Sequence, residues 1–394
     1  MSVFFKKLKQ VKISDFLHFF LFFLAIIPAF FVRIFNRDLW LVCEYGLEAR
    51  DNGFWFYKYV RENHPTQPIV YAIKKKSIDY DKVAALGKTV EYGSLMHWIY
   101  YLAADKNVSS HKGGKPNAAV CYFLEIYGFL KNKRVFLQHG ITKDLADMFF
   151  YKNTKMRLFI CGAKPEYDYV TENFGYPLGY VAYTGFARFD RLYLEKRKEK
   201  VILVAPTWRR WLYQTSSDPY ENSMENVENS EYVKAWKEVL SSSAMEEILK
   251  KYGYKIVFFP HRNMTSIFEN MSGSDYVDIV NWKNTDLQDL LINSEFMITD
   301  YSSTAMDFAY MDKALVYYQF DYDEFREKHF EEGYFNYENN GFGPVCYNLN
   351  DLINKVEEMI CQKQDLKYKD RISEFFPMRD ANNCKRIYDE VKGI

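Results

Sequence analysis

The stretch EFMITDYSSTAMDFAYMDKALVYYQFDYDEF, from Glu295 to Phe325, decides the fold class of this 394-residue chain. It reads as a short apolar strand that ends at Thr299, followed by a turn and a helix that starts at Ser302 or Ser303. A second strand covers Ala314–Tyr318. A strand, a helix and another strand in this order form the repeating unit of a parallel sheet with helices on its faces.

The start of this helix is predicted to bind an anion. Hydroxyl groups at a helix start satisfy the first amide N–H groups, and those groups attract a phosphate together with the helix dipole. In an open α/β sheet, ligands bind where the strands end. The segment therefore predicts an anionic, nucleotide-like ligand, and its candidate contacts are Asp300, Ser302, Ser303, Thr304 and Asp307. Asp307 either reaches a ribose hydroxyl or ligand amine, or complements the helix dipole.

The same alternation of strands and helices runs through the chain from residue 38. It predicts a fold of two doubly wound, Rossmann-type units joined by a charged connector near residues 190–200. A polar, acidic stretch from Thr215 to Tyr232 is interpreted as a surface loop, or alternatively as a lid. The predicted strands are Leu39–Cys43, Ile69–Ile73, Asn107–Ser110, Arg134–Gln138, Arg157–Cys161, Tyr180–Gly185, Val201–Ala205, Lys255–Phe259, Glu295–Thr299 and Ala314–Tyr318.

These patterns divide the chain into four predicted parts. Residues 1–37 form a basic and apolar segment, and residues 38–195 form a first Rossmann-like domain. Residues 196–375 form the second Rossmann-like domain. Residues 376–394 form an amphipathic helix that packs back on the first domain.

Composition excludes several classes of protein. Lys plus Arg and Asp plus Glu both total 52, so net charge gives no indication of a nucleic-acid partner. The six cysteines are scattered, which argues against a disulfide framework or a zinc site and fits a reducing compartment. The chain has no GxGxxG or GxxxxGK[ST] motif and no acidic or histidine cluster with metal-ligand spacing. We expect no required cofactor, although a divalent metal ion remains possible.

The N-terminal segment is predicted to associate with a membrane. The apolar run Phe16–Val32 lies between basic residues on both sides, and seventeen helical residues would reach only about 25 Å, short of a hydrocarbon core of about 30 Å. Pro28 is expected to kink such a helix. Three interpretations remain open: a membrane span, an in-plane or hairpin anchor, and a buried helix. Attachment to the inner membrane face is favoured because a nucleotide-activated substrate is found inside the cell.

Loops that follow strands supply the candidate catalytic groups of the first domain. His139 follows an apolar strand in QHGITKD, where it can take a proton from a hydroxyl near neutral pH. The alternative is a histidine that only caps the strand. Gly140 permits a close approach of a ligand to the backbone. Lys143 and His111 are weaker candidates on the same, acceptor-binding side.

The second domain offers a matching set of strand-end residues. In APTWRR, Thr207 can donate a hydroxyl and Arg209 offers a planar fork for phosphate oxygens, unless it is a simple surface arginine. In FFPHRNM, His261 and Arg262 lie just past a buried strand. A second strand-end histidine makes a chance occurrence of the first less plausible.

Together these segments resemble the CDP-glycerol:poly(glycerophosphate) glycerophosphotransferase family of teichoic acid and capsule synthesis. The resemblance covers roughly residues 100–380 and is carried by FLQHGITKD, TGFARFD, VAPTWR, FFPHR and ITDYSSTAMDFAYMDKALVYYQFD. It implies a GT-B-like fold of two Rossmann-type domains with the active site in the cleft between them. It also implies peripheral membrane attachment and a lipid-linked acceptor.

The resemblance assigns roles to particular residues. The two active-site histidines of the family correspond to His139 and His261, and its phosphate-binding serines correspond to Ser302 and Ser303. The chain departs from the family pattern at Gln138, where a tryptophan is usual, and in the order of proline and histidine before Arg262. A further departure is the turn Ala187-Arg188-Phe189-Asp190.

Three hypotheses for function follow. In the first, the protein transfers glycerol phosphate, or a related polyol phosphate, from a CDP donor to a hydroxyl of a lipid-linked acceptor or growing polymer. His139 is then the general base, and His261, Arg209 and the serines hold the donor diphosphate. The alternatives are a GT-B glycosyltransferase that uses a nucleotide sugar and a non-catalytic membrane scaffold. Two intact strand-end histidines argue against the scaffold.

Overall fold

The computed structural model describes residues 13–130, 132–195, 197–212, 227–268, 271, 273–329, 331–362 and 364–394. These residues form two compact units. The first unit holds the described residues up to Ile141, together with Asp147–Asp190 and Asp380–Ile394. The second unit holds Thr142–Ala146 and Arg191–Arg379. The main change of unit at Asp190 lies close to the predicted connector, whereas the short excursion at residues 142–146 has no counterpart in the sequence pattern.

The first unit is built on a parallel sheet. Among the described residues it has seven strands in the order β3-β2-β1-β4-β5-β6-β7, which reverses between β1 and β4. The strands are β1 (Trp40–Cys43), β2 (Ile69–Ile73), β3 (Thr89–Glu91), β4 (Lys106–Ser109), β5 (Lys133–Phe136), β6 (Leu158–Cys161) and β7 (Val181–Tyr183). Its helices are α1 (Ile13–Phe35), α2 (Asn52–Asn63), α3 (Tyr80–Ala84), α4 (Leu95–Ala103), α5 (Ala118–Ile126), α6 (Tyr151–Thr154) and α7 (Lys164–Asn173).

The second unit repeats this design. Its described residues form a parallel six-stranded sheet in the order β10-β9-β8-β11-β12-β13, which reverses between β8 and β11. The strands are β8 (Glu199–Val204), β9 (Lys255–Phe258), β10 (Val277–Ile279), β11 (Ser294–Thr299), β12 (Leu315–Tyr318) and β13 (Val345–Cys346). The helices that follow α7 are α8 (Phe189–Leu194), α9 (Glu231–Ser241), α10 (Ser243–Tyr252), α11 (Thr265–Phe268), α12 (Leu287–Asn293), α13 (Thr304–Tyr310), α14 (Tyr322–Lys328), α15 (Tyr337–Asn340), α16 (Leu349–Cys361), α17 (Leu366–Phe375) and, back in the first unit, α18 (Asn383–Gly393).

The central strands are buried on both faces, as expected for parallel sheets. All four residues of β1 and all five of β2 are buried. The last helix, α18, belongs to the first unit, where the ring of Tyr388 stacks on His64 at 3.6 Å and lies 5.4 Å from Trp40. The predicted acidic loop or lid lies largely outside the described residues, because only its part from Val227 onward is described.

Helix α1 differs from its prediction in length and continuity. It has 23 residues and continues through Pro28, so at about 1.5 Å per residue it is about 35 Å long. The argument that it is too short to span a membrane is therefore wrong. By length and composition, Asp15–Phe35 is apolar enough to cross one, with a mean hydropathy of 2.2. Only 11% of its most apolar window is buried, which contradicts a fully buried helix.

One side of α1 packs on the first unit. Ala25 and Ala29 are buried in a cluster with Trp98 of α4, and the ring of Phe22 lies 5.8 Å from that indole. Trp98 Nε1 also donates to His18 Nδ1 at 3.2 Å. The small alanines let the helix approach closely, so α1 is part of the first unit rather than a separate segment.

Candidate functional site

Three side chains meet where the first sheet reverses its strand order. His111 follows β4, His139 follows β5, and Asp51 lies between β1 and α2. Carboxyl ends of parallel strands share one edge of the sheet, and the point of reversal opens a crevice there. His139 Nδ1 is 2.6 Å from Asp51 Oδ2, and His111 Nε2 is 3.4 Å from the same oxygen. The fold thus brings two predicted residues together with an aspartate that the sequence did not reveal.

Asp51 is a buried, ionised carboxylate. Its Oδ1 accepts from the backbone N–H of Asn52 at 2.7 Å, as the N-cap of α2, and from Arg188 at 2.9 Å. Burial raises the pKa of Asp51, but His139, Arg188 and His111 lower it by more, to about 2. The carboxylate is therefore an acceptor only, and it imposes donor roles on the groups that surround it.

The hydrogen bond to Asp51 fixes the tautomer of His139. Because the ionised carboxylate can only accept, Nδ1 of the imidazole must carry the proton. In the neutral ring the lone pair is then on Nε2, the nitrogen that can take a proton from a hydroxyl. The side chain of His139 is 71% exposed, so a substrate can reach it.

The residue before His139 has an unusual backbone conformation. Gln138 has a φ of 59°, in the left-handed region that residues other than glycine rarely adopt. The side-chain amide of Gln138 donates to Ile160 O at 2.6 Å and to Glu166 at 3.0 Å. The backbone carbonyl of Gln138 accepts from the side chain of Asn52 at 2.7 Å. These bonds offset the backbone strain and set the direction in which His139 leaves the strand.

A buried arginine lies at the switch point of the second sheet, which is the place where the strand order reverses. Arg209 is 0% exposed, and its guanidinium contacts Asp300 Oδ2 at 2.8 Å and both oxygens of Asp321 at 2.7 and 3.0 Å. It also donates to Thr207 O at 2.8 Å. The prediction that Arg209 offers its fork to a phosphate is wrong, since two carboxylates occupy the fork and no surface of it is exposed.

Two acidic residues proposed to contact the donor are also buried. Asp300 is 0% exposed and accepts from the backbone N–H groups of Thr207 and Tyr301, at 2.7 and 2.6 Å. Burial raises the pKa of Asp300 above its usual value, although Arg209 opposes this. Asp307 is 4% exposed in the first turn of α13, the position at which a negative charge complements the helix dipole. Asp300 thus holds the loop in shape, and neither buried carboxylate is presented to a ligand.

His261 lies beyond β9 and has the opposite tautomer from His139. Its Nδ1 accepts from the backbone N–H of Asn263 at 3.2 Å. A backbone N–H can only donate, so the proton of the neutral imidazole must be on Nε2. His261 therefore offers a hydrogen-bond donor at Nε2. Its ring stacks on Trp208 with centroids 6.0 Å apart, and the neighbouring Arg262 lies 4.5 Å over the ring of Trp282.

The turn before α13 is open to solvent on its hydroxyl side. Ser302, Ser303 and Thr304 are partly exposed, and the helix begins at Thr304 with Ser303 as its N-cap residue. The side chain of Ser303 makes no capping bond, contrary to the prediction, whereas Ser302 Oγ accepts from Thr304 N at 3.3 Å and lies 2.8 Å from Thr304 Oγ1. The structure places these hydroxyls and Thr207 in the loops of the same switch point.

Lys143 was predicted on the acceptor side with Gly140, but it belongs to the second unit. It is 6% exposed, and its ammonium pairs with Asp144, which also binds Arg326 at 2.8 Å. A buried lysine paired in this way is not available to a ligand. Gly140 remains in the first unit, directly after His139.

Asp51, His111 and His139 also form a candidate metal-ligand cluster, which sequence spacing did not reveal. One ligand atom from each side chain lies within 4.8 Å of the others. The three residues come from three loops, so no short motif in the sequence could show them. The described cysteines are free thiols and are not part of this cluster.

Two doubly wound parallel sheets of this kind define the GT-B-like class of α/β proteins. The chain belongs to the CDP-glycerol:poly(glycerophosphate) glycerophosphotransferase family, whose profile matches residues 27–393.

Curated relatives support this assignment. The chain is 33% identical over 373 residues to the minor teichoic acid biosynthesis protein GgaB of Bacillus subtilis, a match that covers 91% of this chain and 40% of the relative. It is 24% identical to the teichoic acid poly(glycerol phosphate) polymerase of Bacillus spizizenii, over 52% of this chain and 47% of the relative. The chain thus spans less than half the length of these relatives.

Solved structures show the same fold. The wall teichoic acid polymerase TagF superposes with a TM-score of 0.65 at 16% identity, over 97% of this chain and 98% of that chain. UDP-GlcNAc 2-epimerase from Neisseria meningitidis superposes with a TM-score of 0.55 at 12% identity, over 91% of this chain and 100% of that chain. These matches confirm the predicted GT-B-like fold.

Proposed function

We propose that this protein transfers glycerol phosphate, or a related polyol phosphate, from a CDP-activated donor to a hydroxyl group. The acceptor is a lipid-linked saccharide or a growing polymer in teichoic acid or capsular polysaccharide synthesis, and CMP is the leaving group. Membership of the glycerophosphotransferase family supports the donor class. Teichoic acid biosynthesis proteins among the relatives support the pathway.

The observation that carries this proposal is the different partner of Nδ1 in two histidines, from which we infer opposite tautomers. His139, bonded to a carboxylate through Nδ1, keeps a lone pair on Nε2 and is suited to be a base. His261, which accepts a backbone N–H through Nδ1, presents Nε2–H and is suited to bind a phosphate oxygen. A base on the acceptor hydroxyl and a donor on the phosphate oxygens both accelerate phosphoryl transfer to a hydroxyl.

The reaction balances with these two groups. His139 Nε2 takes the proton of the acceptor hydroxyl as its oxygen attacks the phosphorus that carries the polyol. A new P–O bond forms to the acceptor, and the bond from this phosphorus to the bridging oxygen of CMP breaks. His261 Nε2–H binds a phosphate oxygen whose negative charge increases in the transition state. Stabilising such charge is the main contribution a protein makes to phosphoryl transfer.

The donor diphosphate is assigned to the switch-point loops of the second unit. The partly exposed hydroxyls of Thr207, Ser302, Ser303 and Thr304 and the guanidinium of Arg262 are the groups that remain for its oxygens. Arg209 contributes indirectly, because its pairs with Asp300 and Asp321 hold the loops after β8, β11 and β12 together. A metal ion is not needed for the steps assigned to these residues.

Helix α1 is proposed to attach the enzyme to the inner face of the membrane. The side of the helix that does not pack on α4 exposes large apolar residues, including Phe16 at 70%, Ile27 at 71% and Phe35 at 82%. An apolar helix face of this kind, flanked by basic residues, binds the boundary between headgroups and acyl chains. The contacts of Phe22 and His18 with Trp98 favour an in-plane orientation, because they hold one side of the helix along the first unit.

The activity is tested by incubating the full chain with CDP-glycerol and a lipid-linked disaccharide and measuring CMP. We expect His139→Gln to lose at least about 100-fold in rate, because an amide cannot accept the proton. His261→Gln is the matched variant, since its amide N–H can replace the Nε2–H donor, and it should lose less than about tenfold. Release of UDP or GDP from a nucleotide sugar, with no CMP from CDP-glycerol, would favour a glycosyltransferase instead.

Membrane attachment is tested by flotation of the full chain with phosphatidylglycerol-containing vesicles. Phe20→Glu combined with Ile27→Glu should abolish flotation, because both side chains lie on the exposed face of α1. Leu178→Glu is the control, since Leu178 is a fully exposed apolar residue of the same unit that is not part of the helix. Equal flotation of all three proteins would contradict the proposal, and retention after alkaline carbonate extraction would indicate a span.

A further inference from the structure

We propose that Asp51 is a positioning residue for His139, and that Arg188 keeps it in that role by occupying the carboxylate's other oxygen. This inference rests on the proposed function, in which His139 is the base. Asp51 does not touch the substrate in this scheme. It holds the imidazole in the reactive tautomer and stabilises the imidazolium that forms when Nε2 takes the acceptor proton.

Three hydrogen bonds to one buried side chain fix the backbone that carries Asp51. The buried carboxylate of Glu44 accepts from the backbone N–H groups of Arg50 at 3.0 Å, Asp51 at 3.2 Å and Phe54 at 2.7 Å. These bonds fix the first turn of α2 and with it the direction of the Asp51 side chain. A positioning group must be held to within a fraction of an ångström, and this anchoring provides that.

Asn52 connects the same turn to the two loops that carry the partners of Asp51. Its side-chain amide donates to Gln138 O at 2.7 Å, next to His139, and its amide oxygen accepts from the backbone N–H of Arg188 at 3.2 Å. Asn52 therefore connects the turn of Asp51 to the loops that carry His139 and Arg188. Asn52 is 0% exposed, so solvent does not compete for these bonds.

Charge balance explains why both Arg188 and Asp51 are needed. The ionised Asp51 and Arg188 form a neutral pair at 2.9 Å before the reaction, and proton uptake adds one positive charge at His139. His111 faces the same carboxylate oxygen at 3.4 Å, with Tyr45 stacked on its ring at 3.9 Å. Asp51 and His111 lie directly against His139, and Arg188 acts on it through Asp51. Glu44 lies behind Asp51, and burial together with the charge of Asp51 raises the pKa of Glu44.

The same distances argue against a metal ion as the natural occupant. Two ligands on one zinc ion, each about 2.0–2.1 Å from it, lie about 3.3 Å apart in a tetrahedral site. Asp51 Oδ2 and His139 Nδ1 are 2.6 Å apart, which is a hydrogen-bond distance. The Arg188 guanidinium on Asp51 also repels a cation. The cluster is thus better explained as a hydrogen-bonded pair of Asp51 and His139, with His111 as a more distant neighbour.

Replacing Asp51 by asparagine removes the charge while keeping the shape. Three hydrogen-bond partners converge on the carboxylate, namely Asn52 N, Arg188 and His139 Nδ1, and His111 Nε2 lies 3.4 Å from Oδ2. An asparagine has one acceptor oxygen and one donor NH₂ group, so it cannot accept from all three partners in the geometry of the carboxylate. An amide N–H placed against His139 would move the ring proton to Nε2 and remove the lone pair that the reaction needs.

The experiment compares Asp51→Asn with Asp79→Asn in the full chain. Asp79 is a matched control because its carboxylate binds Ala49 N at 3.1 Å and Arg50 Nε at 2.8 Å, in the same loop, and no histidine is among its described partners. We expect Asp51→Asn to lower kcat by about 100-fold or more, to leave the KM for CDP-glycerol within threefold, and to shift the acidic limb of the rate profile to lower pH. Asp79→Asn should change none of these.

A second readout does not depend on activity. In ¹⁵N-labelled protein, the wild-type ring of His139 should show its proton on Nδ1, and Asp51→Asn should increase the Nε2–H form. An unchanged tautomer, an unchanged pH profile, or a stoichiometric metal ion in the purified protein would overturn the proposal. If wild-type protein releases no CMP, the proposed function fails, while the tautomer measurement still decides the role of Asp51.

Discussion

Replacing Arg209 by methionine is expected to destabilise the second unit by about 3–5 kcal/mol, because it leaves two buried carboxylates without a counter-ion. The side chains of Arg209, Asp300 and Asp321 are 0%, 0% and 1% exposed, so water cannot compensate for the loss. Methionine fills much of the volume of the arginine stem, and the measured effect therefore reports the charge rather than a cavity.

The size of this effect follows from the contacts of the guanidinium. It makes two bonds to Asp321, one to Asp300 and one to the Thr207 carbonyl. Its carbon also lies 5.1 Å over the ring of Tyr301. Breaking a buried ion pair from one side costs about 3–5 kcal/mol, and the presence of a second carboxylate favours the upper end. Adding Asp321→Asn to the variant should recover part of the loss, because one uncompensated charge is removed.

The assay is urea unfolding combined with hydrogen exchange of peptides covering residues 199–212 and 294–321. Arg262→Met is the control, since Arg262 is exposed and stacks on Trp282. It should change stability by less than about 0.5 kcal/mol. The reasoning is refuted if Arg209→Met unfolds like wild type while the KM for CDP-glycerol rises tenfold. That result would make Arg209 a direct ligand of the donor, as the sequence alone indicated.

Two further predictions concern stability in the first unit. Burial lowers the pKa of His97 to about 3, so the unfolded chain takes up a proton below about pH 6.5 while the folded protein does not. This contribution to stability is complete above that pH and should fall by roughly 3 kcal/mol at pH 4.5, a loss that His97→Met should reduce in urea unfolding. Gly185 has a φ of +78°, and a Cβ there would lie 1.7 Å from Asn383 Oδ1. We expect Gly185→Ala to lower the melting temperature by several degrees and to expose α18 to hydrogen exchange, whereas Gly175→Ala, at a φ of +70° with no neighbour within 4 Å, should cost less.

The sequence predicted the central strands better than the edges of the sheets. β2 was predicted over its full observed range, and β1, β9 and β11 to within one residue. The three strands that were missed are β3, β10 and β13, each an edge strand of two or three residues that is only partly buried. An edge strand pairs on one side and buries little apolar surface, so it leaves a weak pattern in the sequence.

The candidate site was predicted in part. Strand-end position was enough to select His139, His261, Thr207 and the hydroxyls before α13, because parallel strands bring their carboxyl ends to one edge. It could not distinguish an exposed arginine from a buried one. Arg209 and Arg262 both follow a strand, yet the first is enclosed by the aromatic rings of Tyr232, Tyr301 and Phe325 while the second is exposed.

Asp51 was missed in the sequence because only the folded structure brings it next to His139. It stands 88 positions before His139 in the chain and looks like an ordinary helix N-cap in ARDNGF, which is its other role. A sequence reader could have noted that an aspartate at a helix start after β1 falls at the switch point of a doubly wound sheet. That inference needs the strand order, which the pattern of elements does not determine.

The two strand-end histidines differ in the partner of Nδ1, and the proposed mechanism gives them opposite tasks. Each imidazole has a partner at Nδ1, and the nature of that partner decides the chemistry of Nε2. A carboxylate at Nδ1 leaves Nε2 able to accept a proton, as at His139. A backbone N–H at Nδ1 makes Nε2 a donor, as at His261. In the proposed mechanism, exchanging the tautomers would leave both residues in place and still disable the transfer, so that mechanism requires the partners as well as the histidines.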